Sequence, residues 1–265
     1  MYKTTYHRAS SVEEAASLIA GADDGKLLAG GQTLIPTMKQ RLAAPSDVVD
    51  LRHITDLKGI SVAGSQVTIG AGTTHSDVAN SAEIRSACPA LADLASNIGD
   101  PHVRNMGTIG GSIANNDPAA DYPAAMVALN ATIHTNSRQI GADDFFTGMF
   151  ETALNDGEII TAVTFDAPEK AAYQKFPNPA SRYAMAGVFV AKGSGGVRVG
   201  VTGAGSDGVF RASAMESALG ANFSVSALDG AAVDPSDMLS DLHGSSEYRA
   251  NLVKVMARRA VEAAG

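Results

Sequence analysis

Apolar positions along the chain fall into short runs that repeatedly switch period, as expected where helices and strands alternate. Ser11 and Glu14 have capping-box spacing, and Ala15, Leu18 and Ile19 form an apolar stripe that stops at Gly21, which predicts a short helix. Lys26-Leu27-Leu28 reads as a strand running directly into Ala29-Gly30-Gly31-Gln32-Thr33-Leu34-Ile35-Pro36. Residues 47–51 are β-rich, and 60–62 pair with 67–69 across Ala63-Gly64-Ser65 as a hairpin. Thr74, Ser76 and Asp77 can cap a helix continuing through Val78 and Ala79, and residues 90–98 read as helical behind Pro89. A second glycine-rich stretch follows, Arg104-Asn105-Met106-Gly107-Thr108-Ile109-Gly110-Gly111-Ser112-Ile113-Ala114-Asn115-Asn116-Asp117-Pro118. Beyond it the pattern predicts a helix over 119–129, strands over 131–134, 158–165, 184–191 and 198–201, and a terminal helix with Leu252, Val255, Met256 and Ala260 on one face.

No repeat of solenoid or propeller length is present. The irregular alternation favours an α+β fold over a doubly wound sheet. Pro168, Pro177 and Pro179 cluster in 165–181, the expected domain boundary, with a small α+β domain behind it.

Composition narrows the function. With 265 residues, 45% hydrophobic and 18% charged, the whole chain is expected to fold, as one large domain or two unequal ones. A net charge of −8 without any Lys/Arg run disfavours nucleic acid. The start reads MYKTTYHR and no apolar run reaches membrane-spanning length, so a cytoplasmic protein is expected. The single cysteine, Cys88, excludes both an intrachain disulfide and a cysteine-ligated iron–sulfur cluster held by this chain alone.

The chemistry lies in the two glycine stretches. Consecutive glycines after a strand let backbone N–H groups converge and let an anion approach without meeting a β-carbon. Either stretch alone reads first as a tight turn; two of similar build point to a ligand such as a pyrophosphate. The G-x-G-x-x-G and G-x-x-x-x-G-K-[ST] fingerprints are absent, which disfavours a Rossmann domain and a P-loop. No Ser/His/Asp pattern, H-E-x-x-H or clustered His and carboxylate ligands stand out, and the six histidines are scattered.

The segments LAGGQTLIPTMKQR (28–41) and RNMGTIGGSIANNDPAADYP (104–123) together closely resemble the FAD-binding medium subunits of the molybdenum hydroxylase family, the xanthine dehydrogenase and aerobic carbon monoxide dehydrogenase group, above all those of the carbon monoxide dehydrogenase type. The second matches over its whole length, including the spacing from the double glycine to Asp121. Asp50-Leu51, Glu158-Ile159-Ile160 and Lys175-Phe176 extend a weaker similarity over nearly the full chain. The resemblance implies a vanillyl-alcohol-oxidase-like (PCMH-type) FAD-binding domain of two α+β subdomains over 1–167, a fold shared with the cell-wall reductase that acts on UDP-sugars. A small C-terminal α+β domain of the carbon monoxide dehydrogenase flavoprotein type would span 168–265. Ala29, Gly30, Gly31, Gln32 and Thr33, with Leu34 beside them, and Thr108, Ile109, Gly110, Gly111 and Ser112 would cradle the pyrophosphate. Asp121 would hydrogen-bond the FAD, Ile160 and Lys175 would touch the flavin ring, and Tyr183 would lie near its face.

Each assignment has an ordinary alternative: Asp121 as a helix cap, Lys175 as a solvated lysine, Ile160 as a strand core residue. Gln32-Thr33 stands where relatives often have His-Ser or Gln-Ser, and His102 and Met106 stand where relatives commonly carry glutamine and arginine. A catalytic role for His102 is not needed by a flavin reduced from a partner. The implied function is to pass electrons from two [2Fe–2S] clusters in a small partner subunit, themselves fed by a molybdopterin centre in a large one, through FAD to an external acceptor, within an assembly expected to be a dimer of heterotrimers. A self-sufficient FAD oxidase or reductase of the same fold, and a non-enzymatic subunit whose glycine stretches are turns, are the alternatives. Substrate and acceptor are not specified by these residues.

Overall fold

A computed structural model describes residues 1–265. Three larger sheets follow one another along the chain, with a two-stranded ribbon of Phe146–Gly148 and Glu151–Thr152 beside them. The first is parallel: strands Thr5–Arg8, Gly25–Leu28 and Asp47–Asp50 lie with the last in the middle. Val48 and Val49 on that central strand are buried between the flanking helices and the rest of the domain. The helix Val12–Ala20 begins as its spacing predicts, with Ser11 Oγ accepting from Glu14 N at 3.1 Å. The Glu14 carboxylate, however, accepts from Ser10 and not from Ser11, so only half of the capping box forms. The short helix Leu34–Lys39 carries the chain away from the first glycine stretch.

The second sheet is five-stranded, in the order Ile60–Ala63, Gln66–Gly70, Ile160–Asp166, Thr132–Thr135, Gln139–Gly141. The predicted hairpin closes on Gly64-Ser65, where Gly64 takes φ +63°, and Ile160–Asp166 enters between the two hairpins, antiparallel to both. Helices Pro89–Ser96, Ile109–Asn115 and Tyr122–Ala128 cover this sheet and enclose the largest core, 32 buried residues. Of the expected caps Thr74, Ser76 and Asp77, Thr74 and Asp77 form a complete capping box on helix His75–Asn80.

The third sheet is an antiparallel meander of Lys170–Pro177, Ala184–Gly193, Gly196–Thr202 and Phe210–Arg211. Residues 184–191 of the strand Ala184–Gly193 are an unbroken buried run because both its faces are covered. The terminal helix Ser246–Ala264 packs on one side, and Tyr173, Phe189 and Ala191 join the central core on the other. The terminal helix buries Leu252, Met256 and Ala260 as predicted, with Val253, Ala257 and Val261; Val255 is only partly buried on the flank of that stripe.

Two expectations shift. The helix expected over 119–129 starts only at Tyr122, because the Pro118 and Ala120 carbonyls accept from the buried Thr202 Oγ1 (3.0 and 2.6 Å). The proline-marked stretch 165–181 contains the strand Lys170–Pro177, paired along its length with the next strand; the change from one sheet to the other falls between Asp166 and Lys170, around Pro168.

Candidate functional site

The two glycine stretches meet. Gly30 lies so close to the second stretch that a β-carbon there would fall 2.2 Å from the Met106 carbonyl oxygen and 2.6 Å from Gly107 Cα. Only a residue without a side chain permits that contact, which fixes the spacing between the stretches. Gly31 takes φ +69° and turns the chain from strand into the helix Leu34–Lys39. The backbone N–H groups of Ala29 to Leu34 donate to no acceptor within the chain, while the Gly31 and Thr33 carbonyls are engaged by Ile35 and Thr37. A row of consecutive free donors beyond a strand end, with αL Gly31 among them, has the makings of an anion nest.

The second stretch faces it. Thr108 pairs with Thr74 in an isolated antiparallel bridge, and its hydroxyl caps the helix Ile109–Asn115 by accepting from Gly111 N at 3.1 Å. Thr108 N–H has no acceptor in the chain. Gly110 is needed for packing: a β-carbon there would lie 2.6 Å from Ala71 Cβ. At Gly111, by contrast, the nearest atoms would be Thr108 Oγ1 at 3.0 Å and Ala29 Cβ at 3.6 Å, and its φ is not positive. The space beside Gly111 is therefore the gap between the two stretches.

That gap is part of one cleft of about 990 Å³. Of the sequence-predicted residues, Ala29, Gly30, Gly31, Gln32, Thr33, Leu34, Thr108, Gly110, Gly111, Ser112, Asp121, Ile160 and Tyr183 line it. Ile109 does not, since its side chain is fully buried in the central core. Lys175 does not either: its ammonium lies behind the cleft wall, 3.0 Å from Asp121 Oδ1 and 2.8 Å from Asn97 O.

Asp121 occupies a helix start but makes no capping bond. Its buried carboxylate accepts instead from Tyr173 Oη and Lys175 Nζ, both on the strand Lys170–Pro177. Burial pushes the carboxyl up, and Lys175 and Tyr173 pull against that. Tyr183 is half-exposed at the mouth, reached through Arg182 at φ +64°, whose guanidinium donates to Gly99 O at 3.1 Å. Met106 stands at the mouth as well, whereas His102 is out in solvent beside Asp100 and outside the cleft. At another part of the lining, Arg52 clasps the fully buried Asp50 and Arg138 clasps Glu158. His75, passed over in the sequence as one of six scattered histidines, also lines the cleft. Its place beside the Thr74 capping box, with Gly72 two residues before that box, was the available signal.

The cleft is large enough for a ligand of dinucleotide size, and the free N–H groups along it suit an anionic one. Residues 2–168 match the family described as the FAD binding domain in molybdopterin dehydrogenase, and the chain belongs to that family of oxidoreductases. The carbon monoxide dehydrogenase medium chain of Afipia carboxidovorans is 36% identical over 98% of this chain and 96% of its own length. The nicotine 6-hydroxylase medium subunit of Paenarthrobacter nicotinovorans is 35% identical over 98% and 96%. Among solved structures, carbon monoxide dehydrogenase from Hydrogenophaga pseudoflava aligns with a TM-score of 0.89 at 34% identity, covering 99% of this chain and 97% of that one. The α+β FAD-binding fold expected from the sequence is thereby borne out. No helix is long and apolar enough to cross a membrane.

Proposed function

We propose that this chain is the FAD-carrying medium subunit of a multi-subunit molybdenum hydroxylase, with FAD extended along the cleft and its pyrophosphate between the two glycine stretches. One observation carries the assignment of the site: the free N–H groups of Ala29 to Leu34 face Thr108 and Gly111 across a gap that a side chain at 111 would fill. Free donors with no β-carbon in the way suit a pyrophosphate. Asp121 is held ready by Tyr173 and Lys175 to accept a hydrogen bond from the cofactor, Ile160 offers an apolar wall, and Tyr183 covers the mouth. Ile109 and Lys175 act from behind the wall, Ile109 by anchoring the second stretch and Lys175 by holding Asp121. The division of labour is residues 1–167 for FAD and 168–265 for closing over it.

Bound FAD accepts electrons singly and releases them in pairs. The protein's part is to bind and orient it. The single cysteine is buried, so cysteine-ligated clusters must sit elsewhere. The partners are accordingly a small subunit with two [2Fe–2S] clusters and a molybdopterin-binding large subunit, in a cytoplasmic dimer of heterotrimers. Relatives of nearly equal similarity are named for carbon monoxide and for nicotine, so the substrate is chosen outside this subunit. Co-expression with candidate large and small subunits is expected to give a three-chain assembly with about one FAD per copy of this chain. Equal turnover by the isolated chain and by the assembly would overturn the proposal.

A further inference from the structure

His75 heads the helix His75–Asn80, and its backbone N–H donates to the Gly107 carbonyl at 2.9 Å, tying it to the second glycine stretch. The residue is 5% exposed and its ring packs beside Tyr122, with ring centroids 5.3 Å apart. Its Nε2–Cδ2 edge lies over Gly107, where a β-carbon would fall 2.5 Å from Nε2. The residue before Thr108 is glycine because the imidazole occupies that space. Nδ1 is sealed from solvent and has no partner. Nε2 also has no partner in the chain but is not sealed, and His75 belongs to the cleft lining.

A neutral imidazole carries one proton, and the surroundings decide where. On Nδ1 it would be a buried donor without an acceptor, the costlier arrangement; on Nε2 it points to the open side. Burial, reinforced by the nearby positive charge of Arg104, holds the imidazole at about 4, so the ring is neutral near pH 7. Resting on FAD occupying this cleft, we propose that His75 is a further cofactor-positioning residue, a fixed Nε2–H donor to a pyrophosphate oxygen, completing from the Thr108 side the cradle that Ala29 to Leu34 form opposite.

The test uses the full-length chain stripped of flavin and titrated with FAD, with ADP-ribose, which keeps the pyrophosphate but lacks flavin, and with riboflavin, which lacks phosphate. His75→Phe retains an aromatic ring against Tyr122 without a donor, and is expected to weaken FAD and ADP-ribose alike by about 10- to 100-fold, leaving riboflavin unchanged. His75→Gln, a neutral donor, is expected to recover most of the loss. Nitrogen-15 spectra of the wild-type imidazole should show the Nε2-protonated tautomer at pH 7. Apo-protein melting accompanies each variant, and if His75→Phe melts much lower, the contrast between His75→Gln and His75→Asn, whose amide is too short to reach, decides. FAD binding by His75→Phe within twofold of wild type, alongside its loss in Gly111→Val, would remove His75 and leave the site standing. Failure of wild type to bind FAD would remove both.

Discussion

Gly111→Val separates a cofactor cradle from an ordinary turn. Gly111 sits in the first turn of the helix Ile109–Asn115 without positive φ, so valine demands no forbidden backbone conformation. Replacing a helical glycine gains a few tenths of a kcal/mol to about 1 kcal/mol in propensity. Against this, the new β-carbon would stand 3.0 Å from Thr108 Oγ1, and moving that hydroxyl would cost about 1 kcal/mol of capping. The two nearly cancel, so the apo melting temperature should stay within about 4 °C of wild type. The methyl groups, however, enter the gap toward Ala29, and FAD affinity should fall by at least about 100-fold, roughly 2.7 kcal/mol. Gly110→Val is the control. Its β-carbon would lie 2.6 Å from Ala71 Cβ and 2.8 Å from the Ala71 carbonyl oxygen, which Gly110 N–H also needs as acceptor at 2.9 Å. Overpacking against backbone there should cost about 1–3 kcal/mol or more and lower the melting temperature. Flavin fluorescence titration and apo-protein melting give both quantities. A Gly111→Val chain that kept its flavin while melting much lower would refute the cradle.

Lys175→Met should destabilise the apo-protein by about 3–5 kcal/mol in urea melts, because it leaves the buried Asp121 carboxylate with Tyr173 alone, and adding Asp121→Asn should recover much of that; equal stability of the single variant and wild type would contradict it. Burial alone would raise the Asp50 carboxyl, but hydrogen bonds from Arg52 and Tyr6 hold it at about 2, and Arg138 holds Glu158 at about 2 against burial. Carboxyls depressed on folding stabilise above their unfolded values and lose that contribution as pH falls, so stability should drop between about pH 4.5 and 2, by about 1–2 kcal/mol from each pair, and Arg52→Met or Arg138→Met should flatten the drop. Acid precipitation of the holoprotein should leave the flavin in the supernatant, since no cysteine lines the cleft; colour retained in the pellet would show a covalent bond.

Elements with their own local signals were legible in the sequence. The caps at Thr74 and Asp77, the Gly64-Ser65 turn and the apolar run of 184–191 specify structure through residues a few positions apart. What was missed depends on distant partners. Thr5–Arg8 is polar and largely exposed, and becomes a strand only because Asp47–Asp50 lies beside it in parallel register. Lys170–Pro177 lies among the prolines that mark a boundary, yet Ala184–Gly193 recruits it along its full length. The delayed start of the helix at Tyr122 likewise depends on Thr202, far along the chain.

The site divides in the same way. Glycines announce themselves in a sequence because their reason for being there is the absence of a side chain, and Gly30 and Gly111 both stand where that absence shapes the cleft. Side chains whose role is set by a neighbour do not. Asp121 reads as a helix cap until Tyr173 and Lys175 arrive from another sheet and take both its oxygens. His75 reads as one histidine among six until Gly107 and Tyr122 close around it, leaving one nitrogen sealed and the other open. The two cases share a cause: each polar group is positioned by contacts between segments far apart along the chain. The cleft therefore takes its geometry from the meeting of the sheets, and variants that loosen that meeting, such as Lys175→Met, should weaken FAD binding without touching either glycine stretch.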